Sequence, residues 1–136
     1  MGERRPSIAI ACGGIGGLSL ALALHAEGIS CRIYEASREI RALGVGINLL
    51  PHATRELIEL GLGPELARMA VPTAEVVVMD KFGNQIFSEA RGAGAGYNWP
   101  QYSVHRGELQ AMRLAAVRDR LGADSVQPAT ALAELK

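Results

Sequence analysis

Two features of the sequence are placed to do chemistry together: a cluster of glycines, and a carboxylate that follows it at a set distance. The cluster is Ala11-Cys12-Gly13-Gly14-Ile15-Gly16-Gly17, and the acid is Glu35, 23 residues beyond Cys12. A dinucleotide site needs a tight turn after a strand, backbone that approaches a pyrophosphate closely, and a carboxylate that reaches a ribose hydroxyl. Gly14 lacks a Cβ and lets a phosphate come near, while Gly17 lets the following helix pack against its strand. Free N–H groups and the macrodipole at that helix start favour negative charge. Cys12 stands where the usual pattern has its first glycine, so the string reads C-x-G-x-x-G. A register from Ala11, A-x-G-x-x-G, fits as well, and the residues leave both open. A Cβ at position 12 predicts a crowded turn and weaker binding. The competing readings are a ligand-free strand-to-helix connection and a solvated Glu35.

The elements that must hold these groups can be read from the pattern around them. Residues 7–11, Ser-Ile-Ala-Ile-Ala, suit a buried parallel strand. Ile15 to Glu27 reads as a helix, apolar nearly all round and so largely buried, with Gly28 as its stop. Cys31 to Tyr34 is a second strand that delivers Glu35. This is a β-α-β unit of ordinary size. Ala36 to Asn48 is a loop with a short strand at its end. Pro51 opens a helix to Leu60, and Pro64 to Met69 is a short helical piece. Ala74–Met79 and Gln85–Ser88 form a hairpin around Phe82-Gly83-Asn84. Arg91 to Trp99 is a glycine-rich loop. Arg106 to Leu121 is an amphipathic helix, with Leu109, Met112 or Arg113, Ala116 and Leu121 along one side and Gly122 as its stop. Val126 to Leu135 reads as strand. The fold class is therefore α/β: a Rossmann-like β-α-β domain with an added small hairpin and helices, one domain over residues 1–136.

Composition narrows the function classes. Acids and bases balance at 14 each, so no basic surplus points to nucleic acid or an anionic membrane. Arg4 and Arg5 before an apolar stretch, with Ala21-Leu22-Ala23 after it, imitate a secretory leader. Four glycines interrupt that stretch, and the strand-turn-helix reading fits better. Cys12 and Cys31, at opposite ends of neighbouring strands, are expected roughly 12 Å apart, too far for a disulfide. Free thiols without a leader predict the cytoplasm. His25, His52 and His105 lack metal-ligand spacing, so no metal site is expected. Tyr97, Trp99 and Tyr102 either border a flat ligand or pin the glycine-rich loop. Arg106 opposes the macrodipole at a helix start, which an anionic partner would explain.

Three stretches together are familiar. They are Ile8 to His25; Tyr34-Glu35-Ala36 with Arg38 to Ala53; and Pro100 to Gln110, which contains Val104-His105-Arg106-Gly107-Glu108-Leu109. They resemble the group A flavoprotein monooxygenases, most nearly the branch containing 5-methylphenazine-1-carboxylate monooxygenase and more distantly salicylate hydroxylase. The resemblance implies FAD as cofactor, NADH or NADPH as reductant, molecular oxygen, and a small aromatic substrate that receives one oxygen atom. It implies that Gly14, Ile15, Gly16 and Gly17 lie at the pyrophosphate, and that Glu35 and Ala36 serve the adenosine. Val45, Gly46 and Asn48 would lie near the flavin end, Arg106 and Gln110 at the phosphate or ribityl chain, and Leu132 by the adenine. It supplies no catalytic residue. The family's later Asp-Gly and Gly-Asp motifs and its substrate sheet are not in the sequence. The expectation is thus an incomplete FAD-binding part that does not hydroxylate by itself; the alternative is a stand-alone module for NAD or FAD.

Overall fold

The computed structural model describes residues 8–134. In chain order the elements are β1 (Ile8–Ile10), α1 (Ile15–Ala26), β2 (Cys31–Tyr34), β3 (Gly46–Leu49), α2 (Pro51–Glu59), α3 (Gly63–Met69), β4 (Val71–Thr73), β5 (Glu75–Met79), β6 (Gln85–Ala90), β7 (Gln101–His105), α4 (Arg106–Leu121) and β8 (Val126–Gln127). They divide into two units, one built from the chain up to Gly44 and from Gly107 onward, the other from Val45–Arg106.

The first unit holds the β-α-β motif. Its sheet has the order β1-β2-β8, and both pairings are parallel. Ile8 lies opposite Cys31 and Ile10 opposite Ile33, so the glycine turn and Glu35 emerge from the same ends of adjacent strands. Leu18, Ala21, Leu22, Ile33, Leu109, Val117 and Val126 are buried in this unit. Two expectations are corrected here. Helix α1 buries one stripe only, with Leu20 at 47% exposure. Strand β1 buries Ile10 alone, because it is the sheet edge among the described residues. Ser7, expected to open that strand, and Arg4 and Arg5 lie outside the described residues.

The end of this unit is also corrected. The strand expected over residues 126–135 stops after Gln127. Pro128 has no N–H to continue the ladder. Beyond it Ala129 takes a positive φ of 54°. The backbone then ties back to the β2 exit: Ala129 N–H donates to Ser37 O at 2.9 Å and Thr130 N–H to Glu35 O at 2.9 Å. Leu135 lies outside the described residues.

Helix α4 has the expected bounds, and its buried face is Gly107, Leu109, Met112, Arg113, Leu114 and Val117. Both Met112 and Arg113 are buried, while Ala116 and Leu121 are only half-buried. Gly107 is where this helix meets the loop after β2. A Cβ there would lie 2.3 Å from the carbonyl carbon of Ala42, so only glycine permits the approach.

The second unit contains an antiparallel sheet of order β3-β7-β4, in which Leu49 faces Tyr102 and Pro72 faces Tyr102 from the other side. Strands β4 and β7 were not expected from the sequence; β7 is the centre of this sheet. Helix α2 packs on β7 and on α3, and Leu49, Leu57, Leu62, Leu66 and Val104 are buried. The expected hairpin is present as β5-β6, and its turn is held by Asp80, whose Oδ1 accepts the N–H groups of Phe82 and Asn84. Every residue of β6 is exposed, including Ile86 and Phe87. No helix among the described residues is long and apolar enough to cross a membrane.

One residue of α4 works against stability. Arg113 is 5% exposed, and its Nε and Nη1 have no hydrogen-bond partner. Burial alone pushes its pKa down to about 10. A buried cation with two of its three nitrogens unsatisfied carries much of its desolvation cost uncompensated. Replacing Arg113 with Met keeps the apolar stem and removes the charge. This variant should gain about 1–3 kcal/mol of unfolding free energy, measured by urea denaturation of the two proteins; an unchanged or lowered midpoint would show that the guanidinium is satisfied.

Candidate functional site

The site is built around the peptide units between Cys12 and Gly17. Helix α1 begins so close to the end of β1 that a Cβ on Gly17 would lie 1.9 Å from the carbonyl oxygen of Cys12. Gly14 is the N-cap and provides no side-chain cap, and the first turn contains no acidic residue. The opening N–H groups of α1 therefore lack an anionic partner from their own helix, the condition under which a helix start receives a phosphate. A Cβ on Gly16 would meet nothing within 4 Å, so the approach over that residue is open.

Glu35 leaves the end of β2 and turns toward this loop. Its Oε2 accepts the Gly13 N–H at 2.7 Å, and its Oε1 accepts the Ser37 N–H at 2.8 Å. These bonds, the Ser37 one foremost, hold the carboxyl pKa below its ordinary value of 4.5. The Ser37 side chain is a further donor, and of a carboxylate's roughly four acceptor positions one remains for a donor such as a ribose hydroxyl. Gln110, expected at the phosphate or ribityl chain, donates from Nε2 to the Gly13 carbonyl at 3.1 Å. Ile40 closes the remaining side: a Cβ on Gly13 would lie 2.8 Å from its Cδ1.

Cys12 does not strain the turn. It is exposed, its φ is not among the positive values, and its Sγ accepts the Gly14 N–H at 3.3 Å. The crowding expected of a Cβ at this position is absent from the backbone: the φ of Cys12 is not positive, and the side chain folds back along the turn onto the Gly14 N–H. Cys12 and Cys31 are both free, and burial raises the Cys31 thiol pKa.

The structure brings together Gly14, Ile15, Gly16, Gly17, Glu35 and Gln110 in the first unit. Ala36 is exposed beside Glu35, and Leu132 is 59% exposed in the irregular segment after β8. Val45, Gly46, Asn48 and Arg106 belong to the second unit. There the Arg106 N–H donates to Val45 O at 3.0 Å, and the Arg106 side chain is exposed. Asn48 Oδ1 accepts from Ser103 Oγ at 2.8 Å, and Ser103 Oγ lies 3.0 Å from Thr73 Oγ1. This polar chain across three strands was missed in the sequence, because it depends on the pairing of β7 with both neighbours. Ser37, Ile40 and Gly107 were likewise missed, and only their contacts identify them.

The second unit also has a cavity of about 530 Å³ lined by Leu50, Pro51, His52, Arg55, Arg91 and Trp99 among others. The Arg55 guanidinium sits 5.5 Å from the Trp99 ring centre. Arg55 pairs with Glu56 and Glu59, and Arg91 with Glu89, so the cations arrive largely neutralised. Trp99 is held against α2, as a loop anchor would be, while Tyr97 is 58% exposed. Among the described residues no group of three or more His, Cys, Asp or Glu side chains is arranged to hold a metal.

No family model matches the chain. Its sequence is 52% identical over 121 residues to the phenazine 1,6-dicarboxylic acid hydroxylase PhzS of Lysobacter antibioticus, covering 88% of this chain and 30% of that protein. It is 35% identical over 129 residues to an FAD-dependent urate hydroxylase of Klebsiella pneumoniae, covering 84% and 29%. Among solved structures it superposes on Klebsiella pneumoniae HpxO complexed with FAD and uric acid with a TM-score of 0.71 at 29% identity, over 90% of this chain and 30% of that one. The fold also matches the tetrameric form of 2-methyl-3-hydroxypyridine-5-carboxylic acid oxygenase, with a TM-score of 0.80 at 23% identity over 95% and 33%. The chain thus spans about 30% of the length of the curated relatives it matches.

Three outcomes follow from this geometry. Gly17→Ala forces the helix away from the Cys12 carbonyl and should abolish both cooperative unfolding and FAD binding, read by circular dichroism and titration. Cys12→Gly should leave FAD affinity within about twofold, since one exposed side chain contributes little; a large gain would restore the crowding argument. Glu35 has a depressed folded-state pKa, so its stabilisation is present above the ordinary carboxylate value near 4.5 and is lost as pH falls through the lowered one. Glu35→Gln should therefore flatten the acid limb of stability against pH below about 5, measured as denaturation midpoints; an unchanged limb would show that the carboxylate does not act on the turn.

Proposed function

We propose, for a chain that corresponds to the N-terminal part of the FAD-dependent aromatic monooxygenases, that it supplies the adenosine- and pyrophosphate-binding front of an enzyme that hydroxylates an aromatic ring. The observation that carries this reading is the uncapped, glycine-lined start of α1 with Glu35 drawn up beside it. These residues fit an ADP moiety: bare backbone for the phosphates, and a carboxylate with spare acceptor capacity for the ribose. In this reading Gly14, Ile15, Gly16 and Gly17 offer backbone to the pyrophosphate. Glu35 accepts the ribose hydroxyls, and Ala36 and Leu132 border the adenine. The resemblance assigns Val45, Gly46 and Asn48 to the flavin ring and Arg106 to the phosphate or ribityl chain.

When bound, FAD supplies the electron and oxygen chemistry, and the protein supplies position and electrostatics. NADH or NADPH is the proposed reductant. The substrate proposed is a flat aromatic acid of the phenazine type, in line with the relative of 52% identity. Neither nucleic acid nor a membrane surface is a proposed partner. Two free thiols suit a reducing compartment, so the proposed location is the cytoplasm.

The alternative reading, a stand-alone module for NAD or FAD, gives a different binding pattern. Titration of the 136-residue protein should show FAD binding in preference to NADH; NADH binding without FAD binding would sink the monooxygenase assignment. With FAD, NADH and phenazine carboxylates present, the chain alone should consume little NADH and form no oxygenated product by mass spectrometry. A product carrying one added oxygen, formed in step with NADH consumed, would show that this part is itself an enzyme.

A further inference from the structure

Gly13 is gripped on both sides. Its N–H is taken by Glu35 and its carbonyl receives the Gln110 amide. A trans peptide is planar, so the carbonyl of Gly13 and the N–H of Gly14 point to opposite sides of one rigid unit. Holding that carbonyl toward Gln110 on α4 therefore turns the Gly14 N–H away from α4. There it meets Cys12 Sγ at 3.3 Å, a weak acceptor that a charged oxygen readily displaces.

The turn by itself does not fix this orientation. The peptide is flanked by glycine on both sides, and glycine adopts either sign of φ at little cost. Rotation of the unit would bury the Gly14 N–H against α4 and present a carbonyl oxygen outward, repelling a phosphate. The Gln110 bond opposes that rotation. Its own position is fixed from below: Gly107, one turn earlier on α4, lies so close to Ala42 that no side chain fits between them.

We propose that Gln110 is a positioning residue that locks the Gly13–Gly14 peptide, so that the Gly14 N–H faces the diphosphate of the cofactor. It acts through Gly13 and does not touch the cofactor. This rests on the FAD reading of the turn, and ADP isolates the half of the cofactor that this unit would bind.

The experiment is calorimetric titration of the whole chain with ADP, with adenosine and with FAD, for the wild type, Gln110→Met, Gln110→Ala and Gln110→His. Loss of one positioned hydrogen bond should weaken ADP about tenfold in the Met and Ala variants. Adenosine, which has no phosphate, should bind all four proteins equally. His keeps a neutral N–H donor at nearly the same reach and should recover most of the ADP affinity. The Gly14 amide resonance should move in Gln110→Met and return in Gln110→His. Equal ADP affinity in wild type and Gln110→Met, or a loss shared equally by adenosine, overturns the positioning role and leaves the FAD reading standing. A wild type that binds neither ADP nor FAD overturns both.

Discussion

Nothing larger than a hydrogen atom fits between Gly17 and the carbonyl of Cys12, and the first unit is arranged around that contact. It sets how soon α1 can start after β1, and hence how tightly the chain turns between them. A looser turn would move the helix start off the strand ends. The parallel pairing of β1 with β2 then brings Glu35 to the same place without a long side chain having to search for it. The surface proposed for the cofactor is thus made mostly of backbone, and its geometry follows from packing more than from side-chain placement.

A surface made of backbone must be held by something outside itself. Three side chains from two segments distant in sequence do this. Glu35 takes one N–H of the turn, Ile40 covers Gly13, and Gln110 reaches it from α4. The segment after β8 returns to Glu35 and Ser37 through two backbone bonds, so the exit of β2 is tied down as well. Each restraint is one ordinary hydrogen bond or apolar contact between part-buried groups, but all converge on a few peptide units. The same helix that contributes Gln110 also buries Arg113, whose Nε and Nη1 have no hydrogen-bond partner. Helix α4 therefore both orders the site and carries the least satisfied group described in this unit.

The second unit follows different rules. Its antiparallel sheet is covered on one face by α2, and the polar chain Thr73–Ser103–Asn48 runs across the strands. The hairpin β5-β6 turns on the Asp80 carboxylate, which caps two N–H groups at once. Its strands expose Val78, Met79, Ile86 and Phe87, more apolar surface than a two-stranded hairpin normally leaves to water.

The sequence alone determined the β-α-β motif, the start of α1, the bounds of α4 and the pairing of the glycine turn with Glu35. These are local: strand, turn and helix follow one another, and proline and glycine punctuate them. It also carried the family resemblance. Only the tertiary structure decided the rest. Strand β7 was missed although Gln101–His105 alternates polar and apolar residues, because five residues beside a glycine-rich loop are a short signal and its role as the central strand arises only from pairing with β3 and β4, both far away in the chain. The burial of α1 and β1 was overestimated because an apolar residue is buried only where another element covers it. The family resemblance put Gln110 near the cofactor, but it did not reveal that its amide reaches the Gly13 carbonyl, 97 residues away. No local pattern encodes such a bond, because it exists only once α4 has packed beside the turn and fixed the distance between them.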